Sequence, residues 1–288
     1  MPARAGTLPG RRAAARKTRG RRQPRSRLHP RRGNLAVKID LPDNGGNATQ
    51  TAPARRPAFH RALHRATDRT RPSIWKYDYL VLSKLAENIN ELFTQTVAEL
   101  SESPRKIALD AGCEQSPYKK LFEARGWKLE TLDIAPGPGV DHVGTVEQTG
   151  LPADGFDFVL CTEVIEHSAQ PWAAMRELRR ILRPGGRLLF SVPHVWFYHP
   201  HPADHWRFTQ QGVARLAVDS GFEIETLLSR GGSAAAFFQI MNMYLFGALG
   251  VFGAPLYLMN NIAGALFDKL SGNTKLCLGF AALCRKPE

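Results

Sequence analysis

The pattern of apolar and polar positions changes character at residue 73. Upstream, residues 1–72 are rich in Arg, Pro, Gly and Ala and show almost no apolar periodicity. Such a segment buries too little surface to offset its ordering entropy, so disorder is expected there. Downstream, Leu82, Leu85, Ile89, Phe93, Val97 and Leu100 recur at spacings of three and four, which predicts an amphipathic helix. Ser101 to Arg105 breaks that stripe. Strand and helix signals then alternate: strands over 107–111, 127–134 and 156–162, with a helix over 118–125. Trp172, Met175, Leu178 and Leu182 mark another helix, stopped by Pro184-Gly185-Gly186. A strand over 187–192 follows, then a helix capped by Thr209 and closed at Ser220-Gly221, a strand over 222–228, and a final strand near 276–284. This β-α alternation predicts an α/β fold, a mostly parallel, doubly wound sheet with helices on both faces.

One stretch does not fit the alternation. Residues 231–267 carry no Asp, Glu, Lys, Arg or His, and they separate the last two strand signals, which usually adjoin. We read 231–268 as an apolar helical insertion into a domain spanning 73–288. A single membrane span is disfavoured, because Gly247, Gly250, Gly253 and Pro255 interrupt it and a span would strand the last β-segment on the wrong side. Helices lying on a bilayer, a re-entrant hairpin, a lid over a pocket and an oligomer interface all stay open.

Charge sharpens the division. Residues 1–72 hold 19 Lys and Arg against three Asp, a net of +16, whereas the remaining 216 residues carry a net of −3. The folded part is therefore mildly acidic, which argues against a nucleic-acid-binding face on it. The Arg-rich segment is expected to be a solvated tail, with anionic lipid, nucleic acid or an organelle address as its functional alternatives. Cys113, Cys161, Cys277 and Cys284 show no C-x-x-C spacing and lie in apolar contexts, so reduced thiols of a cytoplasmic protein are expected.

The chemistry-bearing residues cluster behind strand ends, where ligands sit in such sheets. Asp110 ends the first strand, and Gly112 follows in a turn where a side chain would block close approach of a ligand. Asp133 closes the next strand 23 residues on, about the distance at which an acid meets ribose hydroxyls in dinucleotide folds. Glu147, ahead of Leu151-Pro152, is a candidate acceptor for an adenine amino group. A nicotinamide-type G-x-G-x-x-G loop is disfavoured, because Glu114 and Pro117 stand where glycines would be needed. Beyond the next strands lie Glu163, Glu166 and His167, and a loop over 193–209 with four His, two Trp and one Tyr. So many polar aromatics on a loop point to a ligand or partner. His194 and Tyr198 are the candidates for substrate contact or proton transfer, with His167 third. Irregular His spacing without cysteine partners argues against zinc, and no resident metal is expected.

Four stretches together resemble the class I S-adenosylmethionine-dependent methyltransferases, in particular the broad methyltransferase type 11 group. They are Leu109-Asp110-Ala111-Gly112-Cys113, the run from Gly155 to Cys161, Glu163-Val164-Ile165-Glu166-His167, and Leu182-Arg183-Pro184-Gly185-Gly186. The resemblance covers about residues 74–230. It implies a Rossmann-like sheet with an antiparallel last strand and S-adenosylmethionine as cofactor. Asp110 and Gly112, with Cys113 and Glu114 in the same turn, would line its methionine end. Asp133 would meet the ribose and Glu147 the adenine, while Cys161, Thr162 and Glu163 would form the floor beneath the methyl group. Two departures stand out: Glu114 and Ser116 replace the loop's later glycines, so Glu114 is strained if its position needs positive φ. In quinone-type O-methyltransferases a similar E-x-x-E-H segment is associated with a divalent metal; here capping and orientation is the expected role of Glu166 and His167. Related methyltransferases also carry H-x-x-D-x-x-R-F-T, matched by His201, Asp204, Arg207 and Thr209, with an Asp204–Arg207 ion pair expected.

The resulting expectation is methyl transfer to oxygen of a small or lipid-linked acceptor, in the cytoplasm or peripheral to a membrane, with homo-oligomerisation through the insertion as a further option. The alternatives are a non-catalytic scaffold of this fold at a membrane surface and an RNA methyltransferase using the basic tail.

Overall fold

The structure, a computed structural model, describes residues 69–100, 105–200 and 202–288. The expected disorder of the tail up to residue 68, the break in the apolar stripe at 101–104 and the role of His201 lie outside the described residues. The described residues open in a turn at Arg69-Thr70.

Seven strands form one sheet in the order β3-β2-β1-β4-β5-β7-β6. They are β1 (Ile107–Ala111), β2 (Lys128–Asp133), β3 (His142–Val143), β4 (Phe156–Thr162), β5 (Leu182–Pro193), β6 (Glu223–Arg230) and β7 (Gly279–Arg285). The first five run parallel, and β7 is antiparallel to both β5 and β6. The mostly parallel sheet with an antiparallel last strand is thus present. β1 and β4 coincide with the expected ranges. Side-chain alternation divides the sheet's apolar residues between two layers. Leu109, Val159, Cys161, Leu188 and Phe190 face α3 (Pro171–Ile181) and α4 (Gln210–Asp219). Ala108, Phe158, Leu160, Leu189 and Leu283 face α1 (Tyr79–Glu99) and α2 (Lys119–Glu123).

Two local readings need correction. Leu182 is the first residue of β5 rather than the last apolar position of α3, and Pro184-Gly185-Gly186 lies within that strand as an irregularity in its register against β4. The glycines work there because Gly185 takes φ +69° and donates its N–H to the Lys286 carbonyl at 2.9 Å. The two-residue β3 and a 3-10 turn at Ile165–His167 carried no apolar signature and went unread. Thr209 does cap α4, accepting a hydrogen bond from the Gly212 N–H at 3.1 Å.

The insertion is a helical hairpin, α5 (Ser233–Leu249) and α6 (Ala254–Ser271), joined by a 3-10 turn at Gly250–Gly253. Its uncharged amides face inward. Gln239 accepts from the Val81 N–H and donates to the Tyr77 carbonyl, while Asn242 exchanges hydrogen bonds with Asn260 and Asn261. Asn261 also donates to the carbonyls of Ile74 and Lys76 at 2.7 and 2.9 Å. The Asp268 carboxylate accepts from the N–H groups of Gly232 and Ala235, closing the start of α5. The hairpin is therefore bolted to the first turns of the domain by buried hydrogen bonds.

Replacing Asn261 by Leu, of similar volume, removes the acceptor of the buried Asn242 amide and the side-chain donor to the part-buried carbonyls of Ile74 and Lys76, the latter keeping the Tyr79 N–H. We expect a loss of about 3 kcal/mol in stability, read as a lower urea midpoint at unchanged slope.

Candidate active site

The site lies beyond the carboxyl ends of β1, β2, β4 and β5, starting with the turn after β1. Asp110 is buried at the strand end, and its carboxylate accepts from the Ser116 hydroxyl at 3.0 Å. Burial raises its pKa to about 6, with Ser116 and Arg69 opposing and Asp133 assisting. Gly112 takes φ +79°, and a Cβ there would lie 2.3 Å from a methyl of Val164, so only glycine fits. The N–H groups of Gly112 and Cys113 both donate to the Leu132 carbonyl, and that of Glu114 donates to the Asp133 carboxylate at 2.9 Å. The β1 turn and the end of β2 are thereby locked together.

Glu114 and Ser116, which stand where the resembled family has glycine, both sit at positive φ, +47° and +45°. The strain expected at Glu114 is present, and each such residue costs about 1–2 kcal/mol relative to glycine. Compensation comes from side chains that glycine lacks. Ser116 bonds Asp110, and the Glu114 carboxylate meets the Arg69 guanidinium at 3.4 Å.

At the end of β4, Glu163 is a third residue at positive φ (+55°). Its carboxylate accepts from both terminal nitrogens of Arg230 and from the Ser191 hydroxyl at 2.8 Å. Burial works against ionising Glu163, yet the adjacent guanidinium holds its pKa below the usual carboxylate range. Glu166 is the opposite case: fully buried, with neither carboxyl oxygen hydrogen-bonded among the described residues. Burial and the nearby Glu163 charge push its pKa well up, so it is held neutral. Cys113 and Cys161 are buried thiols, the former pushed up to about 12. All four cysteines are free. Cys161 faces the core, so it meets the site through its backbone alone. Glu166, Asp110 and Glu147 all act electrostatically on it, which places those three acids around the end of β4. Glu147 accepts from the buried Ser168 hydroxyl.

The loop after β5 is built around Asp204. This buried carboxylate takes a two-pronged hydrogen bond from Arg207 at 2.5 and 2.7 Å and one from the His199 N–H. The expected ion pair is present. His167 donates through Nδ1 to the Ala203 carbonyl, packs against the His199 ring at 4.9 Å, and lies 3.8 Å from Glu166. It fastens the loop. His194 bonds the Phe208 carbonyl through Nδ1 at 2.8 Å; as a carbonyl only accepts, that nitrogen carries the proton and Nε2 is left as a base. Tyr198 stands at the rim, 74% exposed. Glu166, His167 and His199 bring potential metal-ligand atoms within 4.8 Å of one another, whereas Glu163 is turned to Arg230.

The sequence showed Ser116 only as a replaced glycine, without its bond to Asp110, and gave no sign of Tyr118 or Arg230 as site residues. The Tyr118 hydroxyl is buried without a hydrogen-bond partner among the described residues, and Arg69, Asp110, Glu163 and Arg230 all act on it. Arg230 could have been suspected as the last charge before the uncharged stretch, but its partner 67 residues away was not visible.

Residues 77–232, just over half the chain, match the family described as methyltransferase domain. The chain belongs to that family. Residues 77–232 thus form a domain of the class I S-adenosylmethionine-dependent methyltransferase family. Among curated relatives, it is similar to the malonyl-[acyl-carrier protein] O-methyltransferase of Serratia marcescens, 34% identical over 32% of this chain and 40% of that protein. The ubiquinone biosynthesis O-methyltransferase of Hahella chejuensis is 28% identical over 38% and 52%, respectively. A thiol S-methyltransferase of Homo sapiens is 27% identical over 45% and 58%. The chain thus spans roughly half the length of these relatives. Among solved structures, the 1,6-didemethyltoxoflavin-N1-methyltransferase of Burkholderia thailandensis, with bound S-adenosylhomocysteine, aligns at TM-score 0.48 and 15% identity over 82% of this chain and 95% of that one.

Gly112→Ala in this methyltransferase domain drives a Cβ into Val164 and holds alanine at positive φ. A loss of about 2 kcal/mol is expected in thermal or urea unfolding, together with loss of S-adenosylhomocysteine binding by calorimetry.

Proposed function

We propose that this protein transfers the methyl group of S-adenosylmethionine to oxygen of a small or lipid-linked acceptor. One observation carries the reading. A buried acid, a glycine-only turn, a second acid and an imidazole with a bare Nε2 converge beyond the ends of four adjacent strands. Two of the relatives cited are named O-methyltransferases, which favours oxygen. The hairpin beside the loop favours an apolar or lipid-linked acceptor: Trp196, from the loop, packs with Leu80, Val81, Ala235 and Ala236.

The residues fit the cofactor. Asp110 and the unpartnered Tyr118 hydroxyl would receive the methionine end, with the backbone of Gly112, Cys113 and Glu114 alongside. Asp133 would take the ribose and Glu147 the adenine side, and Cys161, Thr162 and Glu163 would supply the floor. When bound, the cofactor supplies an electrophilic methyl on a sulfonium, so the protein's task is chiefly alignment. His194 accepts the acceptor's hydroxyl proton at Nε2 as the new oxygen–carbon bond forms, and passes it to water. His167 is a positioning residue, since Nδ1 and the ring hold the loop. Tyr198, at the rim, contacts the acceptor. The strained Glu114 favours one rival, a non-catalytic scaffold of the same fold, which would not bind the cofactor.

Calorimetry with S-adenosylmethionine decides between them, and no heat of binding would overturn the enzymatic reading. Asp110 keeps its proton below about pH 6. A cationic ligand needs it ionised, so affinity should be full above that pH and fall about tenfold per unit below it. Asp110→Asn should bind weakly with that pH dependence removed. His194→Ala should lower kcat about 10²–10⁴-fold at unchanged cofactor affinity, measured with an oxygen acceptor that the wild type methylates.

A further inference from the structure

The α5–α6 hairpin leaves a large apolar face uncovered. At its tip, Phe252 is 89% and Val251 69% exposed, and Tyr244, Met259, Leu266 and Leu270 are exposed along the helices. Over residues 231–267 there is no charge to desolvate. The polar side chains Gln239, Asn242, Asn260 and Asn261 are all buried and hydrogen-bonded inward, so the outer face offers few hydrogen-bonding groups. A protein partner normally meets about one hydrogen bond per 100–200 Å² and a polar rim, and this face has little of either.

Charge selects the occupant. The described chain enters at Arg69, and Ile74, Lys76 and Tyr77 are hydrogen-bonded to the hairpin through Asn261 and Gln239, while the Tyr77 ring stacks on Phe246 at 4.0 Å. The sequence upstream of residue 73 carries a net charge of +16. Two copies paired through that face would bring two such segments together. An anionic bilayer would attract both features, and two modest signals suffice for stable membrane attachment where one does not. Ser233–Ser271 is apolar enough and long enough to enter a bilayer, but it is folded as two helices of 17 and 18 residues, each at the short end of the spanning range and both held to the domain by buried amides. β7 also returns the chain to the sheet.

We propose that the hairpin docks this protein on the surface of an anionic phospholipid bilayer, its tip at Val251 and Phe252 seated among the acyl chains, the net positive charge of the upstream sequence favouring anionic headgroups. The docking is independent of which acceptor is methylated.

Flotation of the full chain tests it, with vesicles of phosphatidylcholine alone and vesicles containing phosphatidylserine. Binding should be about tenfold or more tighter to the anionic vesicles and should weaken as salt is raised. Val251→Glu combined with Phe252→Glu should reduce binding about tenfold or more, with the melting temperature and S-adenosylhomocysteine affinity unchanged because both side chains are exposed. Wild type that stays at the bottom with both vesicles, or a double variant that floats like wild type, overturns the proposal. So does a lipid-free dimer in light scattering that the double variant dissociates, which would make the face a self-interface. Loss of cofactor binding would instead count against the methyl-transfer reading, so the two fail separately.

Discussion

The Arg230–Glu163 ion pair is the constraint on which the rest of the structure turns. Arg230, almost wholly buried at the end of β6, reaches across two strands to Glu163 at the end of β4, and one of its nitrogens approaches the Val192 carbonyl of β5 at 3.5 Å. Gly279, opening β7, has no room for a Cβ, which would lie 2.5 Å from the Val192 carbonyl and 3.0 Å from the guanidinium. One cation therefore gathers the ends of four strands. Without it, Glu163 would be an uncompensated charge facing the buried Glu166, a loss far larger than the net worth of the pair itself.

That clamp also divides the molecule by task. On one side lie the acids around the β1 and β2 ends, held by backbone hydrogen bonds into Leu132 and Asp133. On the other, the chain leaves Arg230 directly into Gly231 and the hairpin, and returns through Gly279. An insertion between β6 and β7 can thus be long and apolar without disturbing the site, because both of its ends are fixed at the ion pair. The loop after β5 bridges the halves. Asp204, Arg207 and His167 fix it, and Trp196 carries it onto the hairpin's own core.

Much of this was legible in order along the chain. β1 and β4 are mostly apolar runs buried on both faces, each with one Asp, so composition marks them, and with them Asp110 and Glu163. The Thr209 cap and the Asp204–Arg207 pair are local, three residues apart or fewer, and short-range geometry suffices to find them. β3, only two residues long, and the Pro-Gly-Gly run inside β5 were not legible, because neighbouring strands rather than local preference hold them in place.

The sequence by itself determined the alternation of strands and helices, the family, the charge division at residue 73 and the uncharged insertion, since each is written as a periodicity, a motif or a count. Tertiary structure alone decided the partners. It turned Glu163 to Arg230 rather than outward, left Glu166 buried and neutral, fixed the His194 tautomer through Phe208 and pointed the hairpin's amides inward. The physical reason is common to all four. A side chain's ionisation and direction are set by which distant groups desolvate or pair with it, and contacts 14 to 162 residues apart leave no spacing to read.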